Sequence, residues 1–240
     1  MDWQDEGILI SARPFGEANA IAEIFTAAHG RHLGLVRGGR SRRLRPLMQL
    51  GNLLAVRWRA RLSDYLGAYN VELLDARAAR LLDDETALSA INTLSMLAKL
   101  LPERDPHPEL YRGALEVLNE LEDPGVWPGL LVRWELALLQ DLGFGLDLSE
   151  CAATGAEAEL VFVSPKSGRA VSREAGMPYC DRLLKLPAFL LDESDEPSRQ
   201  DVLTGFALTG HFLERHVLNP HGLTMPQSRE RLLTLLARTV

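Results

Sequence analysis

Asn52-Leu53-Leu54-Ala55-Val56-Arg57-Trp58-Arg59-Ala60-Arg61 reads as a strand with two unlike faces. Successive side chains on a strand point to opposite sides. Leu54, Val56, Trp58 and Ala60 therefore share one face, and Arg57, Arg59 and Arg61 share the other. The apolar set predicts a core face. The arginine set places guanidiniums about 6–7 Å apart, close to the phosphate pitch of an extended single strand. Each guanidinium can grip a phosphate with two N–H groups. A merely solvated strand face usually mixes charge signs, and this one does not.

Working outward, the run is the fourth of five. Gly7 to Arg13 is the first, expected to end at Pro14, which cannot pair in a central strand. Asn19 to Thr26 is the second. Ala27 to Gly30 is a turn, with Gly30 free to take a positive φ. Arg31 to Arg37 is the third. Gly38 to Pro46 reads as a mobile, basic loop, and Gly67 to Leu73 is the fifth strand. Five short strands closely spaced predict a small closed barrel of the five-stranded OB type.

Charge separates this part from the rest. Residues 1–80 hold twelve Arg, no Lys and eight acids, while the whole chain is net −7. From Ile24 to Ser63 there are nine arginines (Arg31, Arg37, Arg40, Arg42, Arg43, Arg45, Arg57, Arg59 and Arg61) and no acid. The chain favours Arg, with only three Lys, but that preference does not remove acids. A basic front half on an acidic chain predicts a polyanionic partner for that half. Nucleic acid is the reading taken for all nine.

After Asp75 the pattern turns helical. Asp83, Asp84 and Glu85 suit the positive end of a helix dipole, and Leu88, Ile91, Leu94, Ala98 and Leu101 follow at helical spacing up to Pro102. Pro108 opens a second helix, with Leu110, Ala114, Val117 and Leu121 inward. Pro128 starts a third, aligning Trp127, Leu131, Trp134, Leu138 and Leu142 before Gly143. Residues 144–190 read as irregular, and Asp192 to Pro197 as an acidic linker. A helix from Ser198 to Val217 carries Val202, Phe206, Leu213 and Val217. A last one begins at Thr224-x-x-Gln227, a capping-box pattern, with Leu232, Leu235 and Leu236 inward. The fold class is therefore α+β: a barrel over 1–78 and a mostly helical domain over 79–240.

Chemistry is hard to find. There is no GxxxxGK[ST] phosphate loop and no GxSxG elbow. His29 and His32 lack the intervening Glu of a zinc protease, and His107, His211, His216 and His221 are scattered. The acids lie on expected helix faces and linkers, unlike the convergent carboxylates of a two-metal nuclease. The inventory points away from catalysis. No apolar run reaches the ~20 residues of a membrane span, and the acidic start lacks an apolar signal region. Two cysteines, Cys151 and Cys180, fit a reducing cytoplasm.

Three blocks in order carry a resemblance. The first is Glu6 to Arg13 with Gly16-Glu17, Phe25-Thr26, Gly30 and Val36-Arg37-Gly38-Gly39-Arg40. The second is Leu142-Gly-Phe-Gly-Leu-Asp-Leu-Ser-Glu-Cys151-Ala-Ala-Thr-Gly155. The third is Ser164-Pro-Lys-Ser-Gly-Arg-Ala-Val-Ser172, followed by Leu186-Pro187-x-Phe189-Leu190. Together they resemble the RecO family of bacterial recombination mediators, along essentially the whole chain. The resemblance implies an N-terminal OB-fold and a helical C-terminal domain. It implies binding of single- and double-stranded DNA, strand annealing, and contact with RecR and the acidic tail of single-strand-binding protein (SSB). It further implies help in loading RecA onto SSB-coated DNA, at the nucleoid, without enzymatic activity.

One departure concerns metal. Many relatives carry two CxxC pairs for zinc, and four thiolates are what a closed structural site requires. Here the positions read Cys151-x-x-Thr154 and Ser172-x-x-Ala175, and Cys180 falls outside the spacing. No zinc and no other cofactor is expected. The segment would then be held by packing, through Phe162, Tyr179 and Phe189, with Cys151 a small buried residue.

Two placements follow. The barrel would hold DNA by its phosphates, with Tyr65 and Tyr69 either stacking platforms or barrel core. In the helical half, an SSB tail needs an apolar groove flanked by a cation. Arg133, with Leu130 and Trp134, is the candidate, the other reading being that Arg133 pairs with Glu135 or Asp141. A non-catalytic adaptor whose basic barrel docks an acidic protein is the alternative function, and a metal-dependent nuclease the third.

Overall fold

The alternating run closes a barrel because it has a partner on each side. The structure, a computed structural model, describes residues 1–62, 66–192 and 196–238. Five strands come first: β1 (Asp2–Phe15), β2 (Asn19–Thr26), β3 (Gly30–Val36), β4 (Leu53–Arg59) and β5 (Ala68–Asp75). Their ladder runs β1-β2-β3-β5-β4 and returns to β1. The β3–β5 pairing is parallel and the other four are antiparallel. This is the OB-type arrangement expected from the strand pattern.

Strand β1 is longer than expected at both ends. It begins at Asp2 and runs through Pro14, which lies opposite Ala20. The reason is local. β1 pairs with β4 only over Asp2–Ile8 and with β2 over Gly7–Phe15. Pro14 therefore has a neighbour on one side alone, where a missing N–H is tolerated. Gly30 has a φ of +61°, and a Cβ there would sit 2.0 Å from the carbonyl oxygen of Asp105.

Leu9, Ala22, Ile24, Val36, Leu54, Val56, Trp58 and Tyr69 form the barrel core. Leu44, Leu47 and Met48 pack against it. The segment expected as a mobile loop is thus a folded series of turns. Arg40 N–H donates to the Ala18 carbonyl (3.0 Å), Ser41 N–H to Gly38 (2.8 Å) and Arg45 N–H to Ser41 (2.9 Å). Partial burial of three apolar side chains offsets part of the entropy of ordering a Gly- and Arg-rich stretch.

His32 is buried in the same unit, edge-on to Trp3 and Trp58. Burial pushes its imidazole down from the ordinary 6.5 to about 4, against a backbone hydrogen bond at Leu33. The unfolded chain then binds the proton first. This contribution to stability is complete above pH 6.5 and is lost as pH falls towards 4, by roughly 3 kcal/mol. Urea midpoints measured from pH 7.5 to pH 4 should fall accordingly. The fall should be visibly shallower in His32→Gln, and an equal fall in both proteins would contradict the assignment.

Helices follow: α1 (Arg77–Arg80), α2 (Glu85–Ala98), α3 (Pro108–Asn119) and α4 (Trp127–Asp141). The Asp84 carboxylate caps α2, accepting from Thr86 N–H and Ala87 N–H at 2.9 Å each. Gly143, with φ +86°, ends α4 as expected. By packing, the chain divides at Glu122, into Met1–Glu122 and Asp123–Val240. The change from strand to helix pattern comes earlier, where β5 ends at Asp75.

Residues 144–190 are not irregular throughout. They contain β6 (Leu160–Val163), β7 (Ala170–Ser172), the short helix α5 (Arg173–Gly176) and β8 (Leu184–Lys185), the strands forming a sheet in the order β7-β6-β8. Strands of two to four residues are too short for alternation to show. Phe162 and Phe189 are buried as expected, but Tyr179 is exposed and holds nothing together. Helix α6 (Arg199–Phe212) starts at a capping box of Ser198 and Asp201 and continues as a π-helical turn over Leu213–Leu218. Helix α7 (Gln227–Arg238) starts at Gln227, later than the Thr224 pattern suggested.

Candidate nucleic-acid interface

On β4, Leu54, Val56 and Trp58 are buried while Arg57 and Arg59 are exposed, as the alternation requires. Opposite Arg59 lie Asp2 on β1 and Ala68 on β5. Opposite Arg57 lie Gln4 and Asn70. Both guanidiniums remain half or more exposed beside these neighbours. The strand ends at Arg59, so Arg61 lies just beyond it rather than continuing the two-residue spacing.

The face is not free of acid. The Asp2 Oδ2 sits 3.3 Å from an Nη2 of both Arg57 and Arg59. Hydrogen bonds from Arg59 and then Arg57 hold the Asp2 carboxyl below its ordinary range. The acid-free stretch from 24 to 63 could not reveal this, because the carboxylate arrives from another strand.

The turns over 37–49 sort the remaining arginines. Arg37 and Arg43 join Arg57, Arg59 and Arg61 along a groove of about 960 Å³, with Ser41 and Asn70 also on its walls. Arg40, Arg42 and Arg45 do not reach this groove. Arg40 and Arg45 line a separate hollow with Arg13, and all three arginines of the turn line the one beside it. Arg13 is a basic residue the sequence reasoning missed, since it lies outside the acid-free stretch.

Arg31 does not line the groove or the hollows. Its guanidinium is ion-paired to the nearly buried Glu23 and donates to the Leu101 carbonyl. A guanidinium held between a carboxylate and a carbonyl acts as a tie within the fold.

The aromatic candidates also resolve. Tyr69 is buried, its hydroxyl donating to the His32 carbonyl at 3.2 Å, and so belongs to the core. Tyr65 lies outside the described residues. Trp58 donates its indole N–H to Leu66 (3.1 Å) from inside the barrel. The partly exposed stack is a pair the sequence did not suggest: Trp3 on His29, ring centroids 4.0 Å apart and 9° from parallel.

With this geometry in place, similarity to known proteins decides the relationship. Residues 1–77 match the family described as Recombination protein O N terminal, and residues 82–224 the one described as Recombination protein O C terminal. The chain belongs to the RecO family. It is 54% identical to the DNA repair protein RecO of Methylorubrum extorquens, over 98% of each chain. It is likewise 54% identical to that of Beijerinckia indica, over all of this chain and 96% of the other. The DNA repair protein RecO of Rhodopseudomonas palustris is 51% identical over all of this chain and 98% of its own.

Of the positions that the RecO resemblance marks for zinc, Cys151, Thr154 and Ser172 lie together. The buried Cys151 sulfur accepts from the backbone N–H of Ser172 at 3.2 Å. One thiol, beside hydroxyls at Thr154 and Ser172, does not supply the donor set of a closed zinc site. Cys180 is exposed. Among the described residues no three His, Cys, Asp or Glu are grouped to hold a metal ion, and no helix is long and apolar enough to cross a membrane.

At the tail site expected at Arg133, the cation is engaged within its own unit. Arg133 donates to the Phe189 carbonyl at 2.9 Å and lies over the Phe189 ring at 5.5 Å. Trp134 is buried and Leu130 partly covered. Glu135, offered as a pairing partner for Arg133, is instead fully buried against Arg229. The Arg229 Nε and Nη2 donate to its two oxygens at 2.7 and 2.8 Å, and Thr209 Oγ1 donates at 2.5 Å. Burial works against the charge on Arg229, but the Glu135 carboxylate outweighs it and raises the guanidinium further. Gly210 allows the approach: a Cβ there would lie 2.9 Å from an Arg229 nitrogen. No local signal marks a pair 94 residues apart.

Proposed function

We propose that this chain acts in DNA repair as a non-catalytic recombination mediator. It binds single- and double-stranded DNA through the barrel, anneals complementary strands and, with RecR, helps load RecA onto single strands coated with SSB, at the nucleoid and without zinc. The observation that carries the reading is the groove lined by Arg37, Arg43, Arg57, Arg59 and Arg61. Its cations come from β4, the residues just after it and one turn segment packed on the barrel core. Few aromatics and many guanidiniums suit phosphates of any sequence. Neutralising phosphates lowers strand repulsion and leaves base edges free, which is what annealing needs.

The test is anisotropy of a labelled single-stranded oligonucleotide across a salt series. Binding with a log–log salt slope of about −3.5 is expected if five arginines each contribute ~0.7. A flat salt dependence, or no binding at low salt, would remove DNA from this groove. Strand cleavage dependent on Mg²⁺ would replace the mediator with the nuclease reading.

One observation favours a second reading. Asp2 shows that Arg57 and Arg59 can share a carboxylate. An acidic protein docked on the barrel would use the same geometry, with the chain acting as an adaptor. Retention on an acidic peptide column with no affinity for DNA would select it.

A further inference from the structure

The groove does not account for all the exposed arginines. Within 37–49, Arg37 and Arg43 line it while Arg40, Arg42 and Arg45 turn away. The hollow of about 390 Å³ is walled by Arg13, Arg40 and Arg45 with Pro14, Met48 and Gln49. It opens beside a second one, where Arg42 joins Arg40 and Arg45. The groove and these hollows share no lining residue.

The hollows are the more uniformly basic surface. No acid lines either of them, whereas Glu72 lines the groove and Asp2 pairs with two of its arginines. Arg13, Arg40, Arg42 and Arg45 are all exposed, and among the described residues no ion pair to a carboxylate forms at any of them. Arg40 is nonetheless fixed. Its Nη1 donates to the carbonyls of Gly16 (3.1 Å) and Glu17 (3.0 Å). Arg13 stands on β1 beyond the last residue paired with β4, and Arg45 is held by its backbone bond to Ser41. Four like charges from two separate chain segments, kept without counter-charge, repel one another. A bound polyanion removes that cost.

We propose that the barrel unit carries two strand sites, one on each flank of the turn segment 37–49, and that Arg13, Arg40, Arg42 and Arg45 hold a second single strand by its phosphates. This rests on the DNA-binding reading and extends it. With one strand in the groove and another in the hollows, two strands share one protein molecule. The encounter of their bases becomes intramolecular, at an effective concentration up to the millimolar range. The turn segment is the ridge between them, and its rigidity keeps the two phosphate chains apart until the bases meet.

The test uses the full chain and two non-complementary oligonucleotides carrying a donor and an acceptor dye. The protein is saturated with the first strand at low salt and titrated with the second. Wild type should give energy transfer in particles whose mass equals one protein and two strands. In Arg13→Ala/Arg45→Ala that transfer should be lost, while affinity for the first strand falls less than threefold. Both residues are surface-exposed, and an unchanged melting curve confirms folding. Three results overturn the proposal: transfer that persists in the variant, transfer only from particles holding two protein copies, or a first-strand affinity that falls as far as in a groove variant. Capture of poly-glutamate but not the second oligonucleotide by the Arg13 side would assign the hollow to an acidic peptide instead. Failure of wild type to bind even the first strand would remove the DNA-binding reading itself, and this proposal with it.

Discussion

Arg229→Leu is expected to destabilise the C-terminal unit by about 3–5 kcal/mol, the usual cost of stranding one partner of a buried ion pair. Glu135 is completely buried and receives two of its hydrogen bonds from Arg229. Removing the guanidinium leaves a carboxylate with only Thr209, in a site water does not reach. The Phe206 carbonyl loses its Arg229 donor as well. Such a loss is a large part of the 5–15 kcal/mol that holds a typical domain together. The pair itself contributes far less than its breakage costs, because both charges were desolvated to form it. Arg229→Leu combined with Glu135→Leu should therefore recover most of the stability lost in the single variant. Thermal melts of the wild type, both single variants and the double variant read this directly. Additive losses in the double variant would show that the two groups do not act as a unit.

Arg43→Ala/Arg57→Ala/Arg59→Ala is expected to weaken single-strand binding on the order of a hundredfold near 0.1 M salt. It should flatten the log–log salt slope by about 2, from three lost contacts at ~0.7 each. All three side chains are exposed, so folding should be little changed. Asp2→Asn should move affinity the other way. The Asp2 carboxylate now occupies guanidinium nitrogens of both Arg57 and Arg59, and a phosphate must displace it. Its removal should tighten binding several-fold and steepen the slope. Oligonucleotide anisotropy across the salt series measures both effects. A triple variant with wild-type slope would place DNA elsewhere, and an Asp2→Asn protein with unchanged affinity would show that the carboxylate does not compete.

Much of this was readable in the chain alone, for reasons of period. A strand repeats every two residues and a helix every 3.6, so side-chain direction is a local property. Leu54, Val56 and Trp58 against Arg57 and Arg59 needed no partner to be sorted by face. Asp84 at the start of α2, Pro108 at the start of α3 and Gly143 after α4 mark ends by their own backbone chemistry. The basic character of the front half is likewise a property of composition. Where elements are very short, as in β6, β7 and β8, the same logic has too few residues to act on.

What the tertiary structure alone decided is which distant groups meet. The register of β1 on β4 brings Asp2 to Arg57 and Arg59. The packing of Leu44, Leu47 and Met48 against the core orders a Gly- and Arg-rich stretch, whose arginines line separate hollows. Glu23 captures Arg31, and Glu135 captures Arg229 across 94 residues. Sequence periodicity determines the face a side chain takes. It carries no information on what lies across from that face, because that depends on chain segments whose approach is governed by the burial of the whole core.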